Sequence, residues 1–235
     1  MVDTAVILAG GLGTRLRSVV PDLPKPMAPL HGKPFLASLM EYWIGQDVKR
    51  FVLSVGYRYQ TIVDYFGTSF HGTNVEYVVE TTPLGTGGGL MLANQRLDST
   101  LPYLLINGDT YFAVDAKTLR QFAQNVDADW CFSLFKTSEV GRYLGMEVGK
   151  QGEILSLRSS HQSGERLANG GVYLVNPRCL SNLEVALGER ISLEDEIFPS
   201  LLLQGRKVFG LAFDEKFIDI GIPEDYRRAA DLIAY

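Results

Sequence analysis

Thr4-Ala5-Val6-Ile7-Leu8-Ala9-Gly10-Gly11-Leu12-Gly13-Thr14-Arg15 is the stretch whose reading decides the fold. Its first half, Thr4 to Leu8, is a short unbroken apolar run. Such a run is a strand covered on both faces, as in a parallel sheet. Its second half is glycine-rich. Glycines let the backbone turn sharply and bring amide N–H groups close to an anion. In open α/β sheets ligands sit beyond the carboxyl ends of the strands, where this loop lies. Two familiar phosphate loops are excluded by the residues themselves. One requires glycine where Leu16 stands; the other requires a Gly-Lys-Ser/Thr run, and this loop contains no lysine.

The same alternation continues outward from that strand. Helical spacing over Pro34 to Gln46 (Phe35, Leu39, Met40, Trp43) is followed by a strand at Arg50 to Val55 and a helix at Tyr59 to Phe66. Val75 to Val79 and Tyr103 to Ile106 read as further buried strands, and Thr86 to Gln95 and Ala116 to Gln124 as helices. Trp130 to Phe135 is another strand. The pattern predicts an α/β fold: a mostly parallel sheet with helices on both faces. Strands at Gly145 to Val148, Glu153 to Leu157, Gly171 to Val175 and Lys207 to Ala212 predict an antiparallel addition. Pro223 opens a last helix. With no linker or repeat, residues 1–235 are expected to form one domain.

Composition narrows the function. The 235 residues are 46% apolar and carry a formal net charge of −5. Neither a basic face for nucleic acid nor a run of about 20 apolar residues for a membrane is present. A cytoplasmic location is expected, and a homo-oligomer is compatible with the sequence. Cys131 and Cys179 stand among apolar residues and read as core positions. Phosphate binding must therefore come from backbone amides and a few placed cations. Arg15, Arg17 and Lys25 follow the glycine loop. Pro24 and Pro26 stiffen the chain on both sides of Lys25 and so fix its direction. His31 and His71 read as turn or surface residues. Tyr57, Tyr59, Tyr65 and Phe66 lie at helical or near-helical spacing, and most of them read as packing.

Gly10-Gly11-Leu12-Gly13-Thr14-Arg15-Leu16 followed by Pro24-Lys25-Pro26 resembles the signature of the sugar-1-phosphate nucleotidyltransferase family. The likeness continues in Pro83-Leu84-Gly85-Thr86-Gly87-Gly88, Asn107-Gly108-Asp109, Asn169-Gly170-Gly171-Val172-Tyr173 and Phe217-Ile218-Asp219-Ile220-Gly221-Ile222-Pro223. It spans nearly the whole chain in family order. It implies a Rossmann-like nucleotidyltransferase fold whose antiparallel part binds the sugar. It implies two substrates, a nucleoside triphosphate and a sugar 1-phosphate, with Mg2+ as cofactor. Arg15 and Lys25 are the implied catalytic cations, and Asp109 and Asp219 the implied metal ligands. Leu8, Ala9, Gly10, Gly11, Gly13, Thr14, Glu80, Gly85 and Thr86 are the implied nucleotide site. Asn107, Gly108, Asn169 and Gly170 are the implied sugar site, with Arg158 beside them.

The chemistry suits these residue types. A phosphate oxygen attacks the α-phosphorus of the triphosphate, and pyrophosphate leaves. No protein nucleophile or general base is required, so the protein positions the anions and offsets their charge. Magnesium needs only one or two protein carboxylates.

Glu80 can accept two hydrogen bonds from guanine N1–H and N2–H₂, whereas uracil and thymine offer one N–H on that edge. The chemistry therefore leans toward GTP. Asp22-Leu23-Pro24-Lys25-Pro26-Met27-Ala28-Pro29 and Gly221 to Tyr226 resemble the guanylyltransferases of D-glycero-α-D-manno-heptose 1-phosphate, which make GDP-heptose for bacterial surface polysaccharides. Two other readings remain. One is a UTP- or dTTP-dependent enzyme acting on a mannose, glucose or N-acetylamino sugar 1-phosphate. The other is a catalytically silent nucleotide-sugar-binding subunit. One departure from the family stands out. Members often carry a Glu-Lys pair about eight residues before Asn-Gly-Gly, and its lysine meets the sugar phosphate. Here Ser160 stands near that lysine position, and Arg158, His161 and Arg166 are the neighbouring candidates for the charge.

Overall fold

The computed structural model describes residues 2–139, 141–157, 165–181, 183 and 185–233. In chain order the strands are β1 (Thr4–Ala9), β2 (Pro29–Leu30), β3 (Lys33–Pro34), β4 (Arg50–Val55), β5 (Ser69–Phe70), β6 (Thr73–Val79) and β7 (Tyr103–Asn107). They continue as β8 (Thr110–Phe112), β9 (Trp130–Thr137), β10 (Gly145–Val148), β11 (Ile154–Ser156), β12 (Arg166–Val175), β13 (Val208–Ala212) and β14 (Phe217–Asp219). The α-helices are α1 (Phe35–Gly45), α2 (Tyr59–Phe66), α3 (Gly85–Asn94), α4 (Ala116–Asn125), α5 (Phe198–Leu203) and α6 (Pro223–Leu232).

β7, β1, β4 and β6 lie side by side and run parallel. Their residues alternate between two apolar layers. Ala5, Ile7 and Ala9 of β1 enter one core with α1, α2, α4 and α6. Val6 enters the other, with Leu90 of α3 and with Phe198 and Leu201 of α5. Both faces of the strand are thus apolar, which is why its sequence is a continuous run and not an alternation. All four strands end at the same edge, so Gly10, Gly56, Glu80 and Gly108 emerge together.

β12 carries the sheet into its antiparallel half. One of its edges pairs β9 along most of its length. On the other edge Leu167 and Ala168 pair β10, and Val172 to Val175 pair β7. The handover falls at Asn169-Gly170-Gly171, where the register against β9 also shifts. The sequence placed the start of this strand at Gly171. The structure makes Asn169-Gly170-Gly171 an irregularity inside one longer strand, because a glycine pair in a strand marks a bulge as readily as an end. A second correction concerns β13. It was expected in the antiparallel addition, yet it runs parallel to β9.

α2 packs through Ile62 and Phe66, while Tyr59 and Tyr65 are exposed. The expectation that most of these aromatics pack is therefore corrected for those two. Cys131 and Cys179 are both free and buried, as expected of core cysteines. His31 and His71 both sit at turns with positive φ. Among the described residues no helix is long and apolar enough to cross a membrane.

Candidate active site

A cavity of about 530 Å³ opens at the carboxyl ends of the parallel strands. The glycine loop forms its floor. After Ala9 the chain passes Gly10 and Gly11 and reaches Gly13, which has φ +57°. A Cβ at Gly13 would stand 2.8 Å from Lys25 Cβ, so the loop can lie against the Pro24-Lys25-Pro26 segment because Gly13 has no side chain. Thr14 to Leu16 then form one 3₁₀ turn. Leu16 anchors that turn in the core, and Arg15 is exposed along the cavity wall. Arg17 is not part of this wall. Its guanidinium lies 4.9 Å from the centre of the Tyr57 ring, a cation–π contact outside the site.

Asp109 and Asp219 meet although 110 residues separate them in the chain. The reason is local main-chain pairing. β8 begins directly after Asp109, and β14 ends on Asp219. The two strands form an antiparallel ribbon with Asp219 opposite Thr110. The Ile220 N–H donates to the Asp109 carbonyl at 3.0 Å. Lys25 lies between the acids, with Nζ 2.5 Å from Asp109 Oδ2 and 3.5 Å from Asp219 Oδ1. Its side chain is only 9% exposed. A lysine so buried requires paired carboxylates. Burial and the neighbouring Asp109 charge push the Asp219 carboxyl above its ordinary value, and Lys25 pulls it back in part.

Two carboxylates that share one lysine, on the wall of a phosphate-sized cavity, fit a hard dication. Such an ion accepts one or two protein carboxylates and completes its shell with water and phosphate oxygens. Among the described residues no group of three or more His, Cys, Asp or Glu forms a closed metal cage.

Glu80 lies directly under the glycine loop. Its Oε1 accepts from the Ser54 hydroxyl at 2.9 Å, and its Oε2 accepts from the Leu84 N–H at 3.1 Å. Burial pushes this carboxyl up, against those two hydrogen bonds. Gly85 and Thr86 open α3 on the same wall. The Thr86 hydroxyl is engaged within the protein, donating to Glu194 Oε2 at 3.0 Å and accepting from the Leu193 N–H at 2.9 Å. The N–H groups of Gly87 and Gly88 likewise point at the Ile191 carbonyl, at 2.8 and 3.2 Å. The 191–194 segment thus takes up the Thr86 hydroxyl and the N–H groups of Gly87 and Gly88.

A second cavity, of about 190 Å³, adjoins the first and shares Asn107, Thr110, Glu194 and Asp219 with it. Asn169 and Gly170 line this one. Asn169 Nδ2 donates to the Tyr173 hydroxyl at 2.8 Å, and its Oδ1 accepts from the Gly171 N–H at 3.0 Å, which ties the bulge to its own strand.

The structure thus gathers the expected residues into two adjoining spaces. Leu8, Ala9, Gly10, Gly11, Gly13 and Thr14 border the large cavity, as do Arg15, Lys25, Glu80, Gly85 and Thr86. Asp109, Asp219 and Gly108 border it too, and Asn107 borders both. Arg158, Ser160 and His161 lie outside the described residues. Arg166 turns away from both cavities and donates through Nη2 to the Glu139 carbonyl.

Residues 4–234 match the nucleotidyl transferase family. The chain belongs to that family. It is 39% identical over 225 residues to the D-glycero-alpha-D-manno-heptose 1-phosphate guanylyltransferase of Aneurinibacillus thermoaerophilus, covering 96% of both proteins. It is 37% identical to the Campylobacter jejuni protein of the same name, covering 94% of this chain and 96% of that one. The crystal structure of HddC from Yersinia pseudotuberculosis complexed with GMP-PN superposes with a TM-score of 0.83 at 33% identity. That superposition covers 97% of this chain and 98% of the other.

Three charged lining residues of this nucleotidyl transferase escaped the sequence reading. Arg190 and Glu194 border the large cavity, and Arg142 borders the small one. Glu194 sits on a single π-helical turn, Leu193–Ile197, a geometry that recurs at functional sites. In sequence it is one acid in Leu193-Glu194-Asp195-Glu196, after a Ser192 that reads as a helix cap. Asp225, in the first turn of α6, is buried and paired with Arg142 and Arg228.

Proposed function

We propose that the protein transfers GMP from GTP to a sugar 1-phosphate and releases pyrophosphate. D-glycero-α-D-manno-heptose 1-phosphate is the favoured acceptor, and GDP-heptose the favoured product. The observation that carries the reading is the cluster of Lys25, Asp109 and Asp219 at the edge of the glycine loop. The names and near-complete coverage of the two bacterial relatives support the choice of nucleotide and sugar.

The loop from Gly10 to Gly13 offers backbone N–H groups to the triphosphate. A phosphate oxygen of the sugar 1-phosphate forms a bond to the α-phosphorus as the bond to the bridging β-phosphate oxygen breaks. The electron pair of that bond leaves with pyrophosphate, and no proton has to move. Arg15 and Lys25 hold the phosphate oxygens in line and offset charge that no general base could remove. Asp109 and Asp219 are the residues that would hold Mg2+, whose chemistry is to neutralise phosphate charge and favour pyrophosphate departure. Glu80 uses one lone pair of each oxygen within the protein, which leaves a carboxylate two further acceptor sites for guanine N1–H and N2–H₂. The cytoplasm, which supplies GTP, is the matching compartment.

The test is pyrophosphate release across the four common nucleoside triphosphates and a panel of sugar 1-phosphates, with magnesium present. GTP with the heptose 1-phosphate is expected to give the highest kcat/KM. A UTP or dTTP preference, or a better acceptor, replaces the substrate assignment. No release with any pair removes the catalytic one.

A further inference from the structure

We propose that Arg142 is the cation that receives the phosphate of the sugar 1-phosphate, the charge that other family members take from a lysine absent here. The inference rests on the nucleotidyl-transfer reading above and adds a residue to it. The small cavity opens onto the catalytic one beside Asp219 and is bordered by two carboxylates, Glu194 and Asp219. A phosphate entering there meets like charge from both. Arg142 is the only cation among the described residues that line it.

The guanidinium is held for this task from behind. Asp225, buried in the first turn of α6, pairs with Arg142 Nη2, while its other oxygen is 3.0 Å from Arg228 Nη1. The Tyr143 ring lies 4.8 Å from the guanidinium carbon and braces its face. The remaining partner is Glu139, 3.0 Å from Nη1. Glu139 is half-exposed, so that pair is a weak one. A phosphate competes for the same donor with more charge and with two oxygens matched to the guanidinium fork. The other cations of the region do not serve. Arg166 is turned onto the main chain at Glu139, and Arg190 borders only the nucleotide cavity.

The experiment compares the wild type with R142Q and R142K, using the sugar 1-phosphate that the wild type turns over best. Expected for R142Q is a KM for the sugar 1-phosphate raised about tenfold or more, the effect of losing a charge-assisted contact. The KM for GTP stays unchanged, and R142K recovers part of the loss. An unchanged sugar 1-phosphate KM overturns the proposal. So does a parallel rise in both KM values with a lower thermal midpoint, the mark of a residue that only anchors α6. Should R142Q fail to fold, R142K carries the test alone: its KM for the sugar 1-phosphate rises while that for GTP does not, and an unchanged sugar 1-phosphate KM overturns the proposal. Binding to a complex with a non-hydrolysable GTP analogue separates the two levels. Equal affinity of wild type and R142Q for the sugar 1-phosphate removes only Arg142, whereas no binding by the wild type removes the function as well.

Discussion

Gly10→Ala introduces one methyl group, and the structure says what it meets. The added Cβ would lie 2.5 Å from Glu80 Cδ and closer still to its Oε1. Backbone strain plays no part, since Gly10 is not among the positive-φ positions. The carboxylate has little room to retreat. Ser54 Oγ and the Leu84 N–H hold its two oxygens, and Gly89 packs so closely that a Cβ there would be 3.1 Å from Oε1. Moving Glu80 aside breaks both hydrogen bonds. A bond to a charged group contributes about 1.5–3 kcal/mol, and water entering the cavity restores part of it. The expected net cost is about 2–3 kcal/mol, within the range for overpacking. For a chain of this size that lowers the thermal midpoint by about 4–12 °C. The assay is a double-mutant cycle with Glu80→Ala, read by urea unfolding. Once the carboxylate is gone the methyl group fits, so Gly10→Ala should cost little in that background, giving a coupling of about 2 kcal/mol. An equal cost in both backgrounds, or none in the wild type, refutes the reasoning.

Three further outcomes are expected. Asp109→Ala should abolish pyrophosphate release while the unfolding transition survives; normal release with magnesium present removes Asp109 from the metal site. Glu80→Gln should weaken the preference for GTP, because one acceptor becomes a donor, and an unchanged ranking of the four triphosphates takes Glu80 out of base recognition. The same variant tests the burial of this carboxyl. Its folded pKa lies above the ordinary 4.5, so its contribution to stability is full below that pH and is lost as pH rises through the folded value. The difference in thermal midpoint between Glu80→Gln and wild type should therefore shift in favour of the variant as pH climbs from 4.5, and a difference constant with pH rejects this account.

The parallel half of the sheet was legible because β1, β4 and β7 are largely buried apolar runs followed by glycine or by Gly-Asp after Asn107. Those features are set by residues next to one another in the chain. The first wall of the large cavity was legible for the same reason: Gly10 to Arg15 and Pro24 to Pro26 are contiguous motifs. Arg142, Arg190 and Glu194 were not legible. Each sits in a charged surface-like stretch, and only the fold turns those stretches toward the cavities. The direction of β13 was misread because a strand of five residues, Val208–Ala212, carries no mark of its orientation. Its position is set by pairing with β9, more than 70 residues earlier. The break placed before Gly171 was a misreading of chemistry that two structures share, since paired glycines serve both turns and bulges.

The ammonium of Lys25 joins three parts of the chain, 84 residues from one acid and 194 from the other. Links of that span close late, after shorter loops have formed. Any break between Lys25 and Asp219 that let either end drift would uncouple all three groups, so the charge balance on this wall reports on the integrity of nearly the whole fold.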